Sequence, residues 1–230
     1  MTNNRTLLIT GASSGIGAAT ARQAVQAGFR VALSARSAEA LDELVEELGP
    51  TNAKSFPCDV SDYSALEGVV RGVLETFGSL DAVFANAGVG GERGGFSSAP
   101  IESWRRIVDV NILGVAYTLR AALAPIKRAR GHVVITGSRA GRRPLPGSMY
   151  SVSKWAVSAI GYNLREELEG TGVRVTIIEP GIVDTPFFDD PKPDGLRADD
   201  VAATVMFALT QPEGVNVHEV LILPTTPHRA

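Results

Sequence analysis

Apolar residues in this chain fall into short runs bounded by glycine, alternating with longer stretches whose apolar positions recur every three or four residues. Leu7–Thr10, Arg30–Ser34, Ala53–Phe56, Leu80–Phe84, His132–Thr136, Val173–Glu179 and Val217–Leu223 read as strands. Between them the spacing predicts helices over Ala18–Ala27, Ala38–Leu48, Tyr63–Phe77, Ser151–Glu169 and Ala198–Leu209, with a further one opened by Pro100 and running through Leu119. Seven strands alternating with helices predict an α/β protein with a doubly wound, seven-stranded parallel sheet. Neither a repeat nor a shift in composition divides the chain, so one domain over residues 1–230 is expected.

Composition narrows the functional classes. Hydrophobic residues make up 44% and charged residues 20%, and the net charge is -3. That balance gives no electrostatic case for binding nucleic acid or an anionic membrane. Cys58 is the single cysteine, which excludes an internal disulfide and fits a reducing cytoplasm. Met1–Thr6 is polar, unlike a signal peptide, and no apolar run is read as reaching bilayer length. The three histidines are far apart and offer no metal-ligand spacing.

The first strand ends in Gly11-Ala-Ser13-Ser14-Gly15-Ile16-Gly17, ahead of an alanine-rich helix. Strand, glycine turn and helix form the setting in which backbone amides approach a phosphate, although a tight turn alone uses the same glycines. After the second strand stands Arg36, with no carboxylate until Glu39. A guanidinium there suits a ribose 2′-phosphate, where an acidic residue would favour NAD; a solvated arginine is the bland alternative. Asp59 follows the third strand, where an aspartate can cap a helix or accept from an adenine amino group; Asp62 is the better cap.

Asn111 lies within an apolar-faced helix, either pointing to solvent or set inward as a placed polar group. Ser138 ends the fifth strand, twelve positions before Tyr150. Tyr150 and Lys154 are four apart and share a face if helical. An ammonium beside a phenol lowers its pKa towards the working range, although the same spacing occurs on ordinary helix surfaces. Arg139, Arg142 and Arg143 suggest either recognition of acidic substrates or a turn that is solvated or at a subunit contact. Pro186–Arg197, with Phe187 and Phe188, reads as a short lid over an apolar region or as a plain surface loop.

Taken together, Thr10–Gly17, Asn86-Ala87-Gly88, Asn111, Ser138, Tyr150-x-x-x-Lys154 and Pro180-Gly181 resemble the short-chain dehydrogenase/reductases over almost the whole chain. The resemblance implies a Rossmann-type domain that binds NADP, or less readily NAD, and moves a hydride to or from a small carbonyl or alcohol substrate. It implies Tyr150 as acid/base, Ser138 on the substrate oxygen, and Lys154 on the nicotinamide ribose while lowering the Tyr150 pKa. Asn111 would hold a relay water.

By the same likeness Gly11, Ser13, Ser14, Gly15, Ile16 and Gly17 would line the pyrophosphate, and Asp59 and Val60 would meet the adenine. Asn86, Ala87 and Gly88 would border the adjoining ribose, with Pro180, Gly181, Ile182 and Thr185 at the nicotinamide. Two departures stand out: Gly137 where a second serine is common, and a Ser138-to-Tyr150 interval one residue short. A dimer or tetramer is implied, and the competing class is a catalytically silent NAD(P)-binding sensor or scaffold.

Overall fold

The computed structural model describes residues 5–225. Seven strands form one parallel sheet: β1 (Thr6–Thr10), β2 (Arg30–Ser34), β3 (Ala53–Ser55), β4 (Ala82–Ala85), β5 (His132–Thr136), β6 (Arg174–Pro180) and β7 (Glu219–Ile222). Their spatial order is β3-β2-β1-β4-β5-β6-β7. This is the expected doubly wound, Rossmann-type arrangement, with the strand order reversing between β1 and β4. Strand ends differ from the sequence reading by a residue or two.

Alternation along each strand sends side chains to opposite faces, and each face carries its own core. Leu7, Ile9, Val31, Leu33 and Phe84 pack against α1 (Gly15–Gln26), α2 (Ala38–Leu48) and the last helix, Ala198–Leu209. Leu8, Ala32, Val83, Val133 and Ile135 face α3 (Tyr63–Phe77) and the helices of the chain's middle third. Asp62 caps α3, its carboxylate accepting from the Ala65 N–H at 3.0 Å.

The helix expected from Pro100 through Leu119 is not continuous. It runs as α4 (Ile101–Ile107), then a π-helical stretch over Val108–Leu113, then α5 (Gly114–Ala129). Against the sequence reading, Ile101–Ala129 is long and apolar enough by composition to cross a membrane. Its residues Val115, Leu119, Ala122 and Ile126 are instead packed into the core beneath the sheet.

The following helix, α6 (Met149–Glu167), begins two residues earlier than expected because Ser148 caps it, accepting from the Ser151 N–H at 3.0 Å. This places Tyr150 in its first turn. The segment after β6 pairs Val183–Asp184 with Leu196–Arg197 in a small parallel ladder, and the last helix, α7 (Ala198–Leu209), follows.

His132, at the start of β5, is 1% exposed, and its Nε2 lies 2.7 Å from the Thr176 hydroxyl. That hydroxyl donates to the Val217 carbonyl, so Nε2 must carry the ring proton. Nδ1 has no partner among the described residues. Burial, with Arg174 and Arg5 nearby, holds the imidazole down at about 3. The unfolded chain therefore binds a proton near the ordinary histidine value, around 6.5, that the folded chain refuses. Stability is expected to fall as pH drops from about 6.5 towards 3. Urea midpoints measured across that range should show this slope in the parent protein and a shallower one in His132→Gln.

Candidate active site

The C-terminal ends of β1, β4, β5 and β6 open into a cleft of about 740 Å³, at the reversal of strand order where doubly wound sheets bind ligands. One wall is the turn from β1 into α1. Gly11 has φ +67°, and a methyl there would lie 2.9 Å from the Ala87 Cα. A Cβ on Gly17 would collide with the Gly11 carbonyl oxygen. These two positions accept only a hydrogen, and the turn folds tightly enough to aim the start of α1 at the cleft. Ser14 is the extended N-cap, yet its hydroxyl makes no capping bond. The first amides of α1 thus lack a side-chain acceptor among the described residues, and with the positive end of the helix dipole they suit an anionic group.

At the far end, Arg36 just past β2 and Arg106 from α4 border the cleft and an adjoining hollow, together with Asp59 and Val110. Neither guanidinium enters an ion pair among the described residues. Asp59 accepts from the Ser61 N–H (2.9 Å) and hydroxyl (2.7 Å). Those bonds, with a smaller pull from Arg36, hold its carboxyl below the usual range. Cys58 lines the same end, its thiol pushed up to about 11 by burial and by Asp59 and Asp62. It is therefore protonated and unreactive at neutral pH.

Asn86 clamps the strand ends. Its amide nitrogen donates to the carbonyls of Thr10 (3.1 Å) and Gly11 (3.3 Å), and its oxygen accepts from the Thr136 hydroxyl at 3.0 Å. The side chain joins β1, β4 and β5 while its residue borders the cleft. Asn111 makes a second clamp. It is fully buried in the π-helical stretch, where the extra residue per turn keeps Ile107 and Val115 in the core while Asn111 also turns inward. Its oxygen accepts from the Val89 N–H (2.8 Å), and its nitrogen donates to the Val89 carbonyl and the Ser153 hydroxyl, both at 3.0 Å. The loop after β4 is thereby fixed to the helix that carries Tyr150 and Lys154.

Ser138 follows β5 and is 9% exposed; its oxygen accepts from the Ala140 N–H at 3.0 Å, which leaves its proton free to donate. Tyr150 and Lys154 come from the first turns of α6 and line the cleft with it. Burial pushes the Tyr150 phenol above its ordinary value, while the Ser138 hydroxyl pulls the other way. Burial also brings the Lys154 ammonium down to about 8. The expected lowering of the phenol by the ammonium is therefore reversed. Lys154 Nζ lies 5.7 Å from the ring centroid and donates to the Thr136 carbonyl at 2.8 Å, and burial sets the direction of the phenol's shift.

Of the predicted site residues, Gly11, Ser13, Ser14, Gly15, Ile16, Arg36, Asp59, Val60, Asn86, Ala87, Gly88, Ser138, Tyr150, Lys154, Pro180, Gly181 and Thr185 line this one cleft. Gly17, Asn111 and Ile182 do not. Gly17 packs behind the turn, and Asn111 sits one layer back, its oxygen 3.4 Å from where a Cβ of Gly88 would be. Ile182 is turned away because neighbours on an extended segment alternate, so Val183 lines the cleft instead.

The arginine turn also resolves. Arg142 pairs with the buried Glu179 and with Glu219, and neither Arg139 nor Arg143 lines the cleft. Sequence reasoning missed Arg106. It stands four before Val110 on one helix face, yet nothing in that spacing says the face meets the end of β2.

A family model described as short chain dehydrogenase matches residues 5–194. An uncharacterized oxidoreductase of Staphylococcus haemolyticus is 37% identical over 227 residues, covering 96% of this chain and 98% of its own. Among solved structures, an alcohol dehydrogenase from the archaeon Thermococcus sibiricus, complexed with 5-hydroxy-NADP, superposes with a TM-score of 0.91. It is 33% identical and covers 97% of each chain. Serine dehydrogenase from Escherichia coli gives a TM-score of 0.89 at 32% identity, over 96% of this chain and 99% of that one.

Proposed function

The chain belongs to the short-chain dehydrogenase family, and from that premise we propose that it exchanges a hydride between NADP(H) and the carbonyl or secondary-alcohol carbon of a small molecule. The observation that carries this reading is the meeting of Ser138, Tyr150 and Lys154 in the same cleft as the glycine cradle and the open start of α1. The cradle fits a dinucleotide: a side chain on Gly11 or Gly17 would strike backbone, and the uncapped amides suit a pyrophosphate. Gly11, Ser13, Ser14, Gly15 and Ile16 would hold the phosphates, Asp59 and Val60 the adenine end, and Thr185, Pro180 and Gly181 the nicotinamide end.

When bound, the cofactor supplies or accepts the hydride at the substrate carbon. Tyr150 gives its phenolic proton to the substrate oxygen in reduction and takes it back in oxidation. A phenol held protonated at neutral pH suits the donor role. Ser138 donates its free hydroxyl proton to the same oxygen, stabilising negative charge as it develops there. Lys154 supplies the positive charge that favours the phenolate left behind. Asn111 keeps the Val89 loop and α6 at a fixed separation, and a relay water beside it is part of the same proposal.

NADP is the preferred cofactor in this reading, because two guanidiniums with no ion pair among the described residues, Arg36 and Arg106, stand at the adenosine end. A homo-oligomer is the proposed assembly. Val152, Trp155 and Tyr162 leave an apolar stripe along α6 at 46%, 50% and 40% exposure. A cytoplasmic, one-domain enzyme is consistent with a single buried thiol and one continuous sheet.

Tyr150→Phe is expected to lower kcat by about 10³-fold with NADPH affinity little changed; retained turnover with a panel of aldehydes and ketones would remove Tyr150 from the mechanism. Arg36→Ala and Arg106→Ala should each weaken NADPH roughly tenfold and leave NADH affinity nearly unaltered, as read by calorimetric titration. Equal losses for both cofactors would mean that neither arginine reads the phosphate. Because Lys154 loses its proton near pH 8, kcat/KM for reduction should decline as pH rises through that region, and Lys154→Arg should remove that limb.

A further inference from the structure

We infer that the substrate is an uncharged carbonyl compound carrying an aromatic or other bulky apolar group, seated against Phe187, and not a keto acid; this deepens the reductase reading and rests on it. The charges of the cleft are segregated. Its charged lining residues are Arg36, Asp59, Arg106 and Lys154. The first three also border the hollow at the adenosine end. Around Tyr150 that leaves Lys154, whose ammonium is directed at the Thr136 carbonyl.

The cations that the sequence places nearby are held in ion pairs or do not line the cleft; Arg93, in the loop after β4 whose Gly91 lies beside Tyr150, is exposed and outside that lining. Arg142 is held by Glu179 and Glu219. Arg139 and Arg143 do not reach the cleft, and Lys192 lies over the Phe188 ring at 5.3 Å without lining it. A carboxylate carried in beside Tyr150 would lose its water with no guanidinium lining that part of the cleft and with the one ammonium there already donating to the Thr136 carbonyl, and desolvating a poorly paired charge is strongly unfavourable.

The apolar wall is built from two rings and a glycine. The Phe187 ring lies 5.7 Å from that of Tyr150 at 57°, and Phe188 backs it at 5.2 Å, edge on at 80°. A Cβ on Gly90 would come 3.5 Å from the Phe187 ring edge, so the loop after β4 closes on the ring without a side chain between them. Phe187 keeps 41% of its surface exposed. An aromatic substituent on the reacting carbon can cover that surface while the carbonyl oxygen meets Tyr150 and Ser138.

The test compares methyl benzoylformate with benzoylformate, two ketones that differ by an ester methyl in place of a charge. The readouts are NADPH oxidation and, separately, calorimetric binding of the product alcohols methyl mandelate and mandelate to the protein with NADP⁺. The ester should exceed the acid in kcat/KM by about 100-fold, and methyl mandelate alone should give measurable heat. Phe187→Ala should raise KM for the ester roughly tenfold with kcat little changed. Phe187→Leu, which keeps an apolar side chain, should fall between.

Equal turnover of acid and ester, or equal binding of their alcohols, overturns the inference and leaves the reductase reading standing. An unchanged ester KM in Phe187→Ala removes Phe187 from the pocket. Turnover of neither ketone, with NADPH bound and no heat from either alcohol, overturns the inference and counts against the reductase reading.

Discussion

The site depends on a buried ammonium. Lys154 is 4% exposed, and an amine taken out of water becomes harder to protonate unless carbonyl dipoles replace its hydration. The Thr136 carbonyl at the end of β5 does part of this at 2.8 Å. The Thr136 hydroxyl also donates to Asn86, so the strand end that meets the ammonium is itself fixed to β4 and β1. Position and charge are set together: the strand that presents the carbonyl also leads directly to Ser138.

The π-helical stretch aligns three inward-facing residues more closely than a regular helix would. Ile107, Asn111 and Val115 are four apart, and on a 3.6-residue helix such a series drifts round the axis. Widening one turn holds all three inward, so an amide enters the core while its apolar neighbours stay packed. A buried amide is tolerated because its oxygen and its nitrogen both find partners, at Val89 and Ser153. One residue thereby links three segments distant in sequence.

Legibility in the sequence followed the range of the forces involved. Strand and helix identity came from local periodicity, and the glycine turn announced itself because Gly11 and Gly17 stand where any side chain would strike backbone. The π-turn was invisible: it shifts by one residue a pattern that reads as apolar either way. Arg106 and the approach of Phe187 to Tyr150 depend on which loops meet across the cleft, which spacing does not encode. The Tyr150 shift went the wrong way for a related reason. Sequence names the neighbouring charge but not the depth of burial, and here burial is the larger effect. Arg142 looked like a free cation because Glu179 and Glu219 belong to strands that arrive later in the chain.

The Arg142 ion pairs reach further than the turn they sit in. Glu179 is wholly buried and also accepts from the Ser158 hydroxyl of α6, while Glu219 on the outermost strand β7 is shared with the Tyr162 hydroxyl. The turn behind Ser138 is therefore braced from the sheet's rim, and the final strand serves as a buttress for the chemistry. The brace on the span from Ser138 to Tyr150 thus needs β7 docked beside β6, which ties the catalytic turn to the far edge of the sheet.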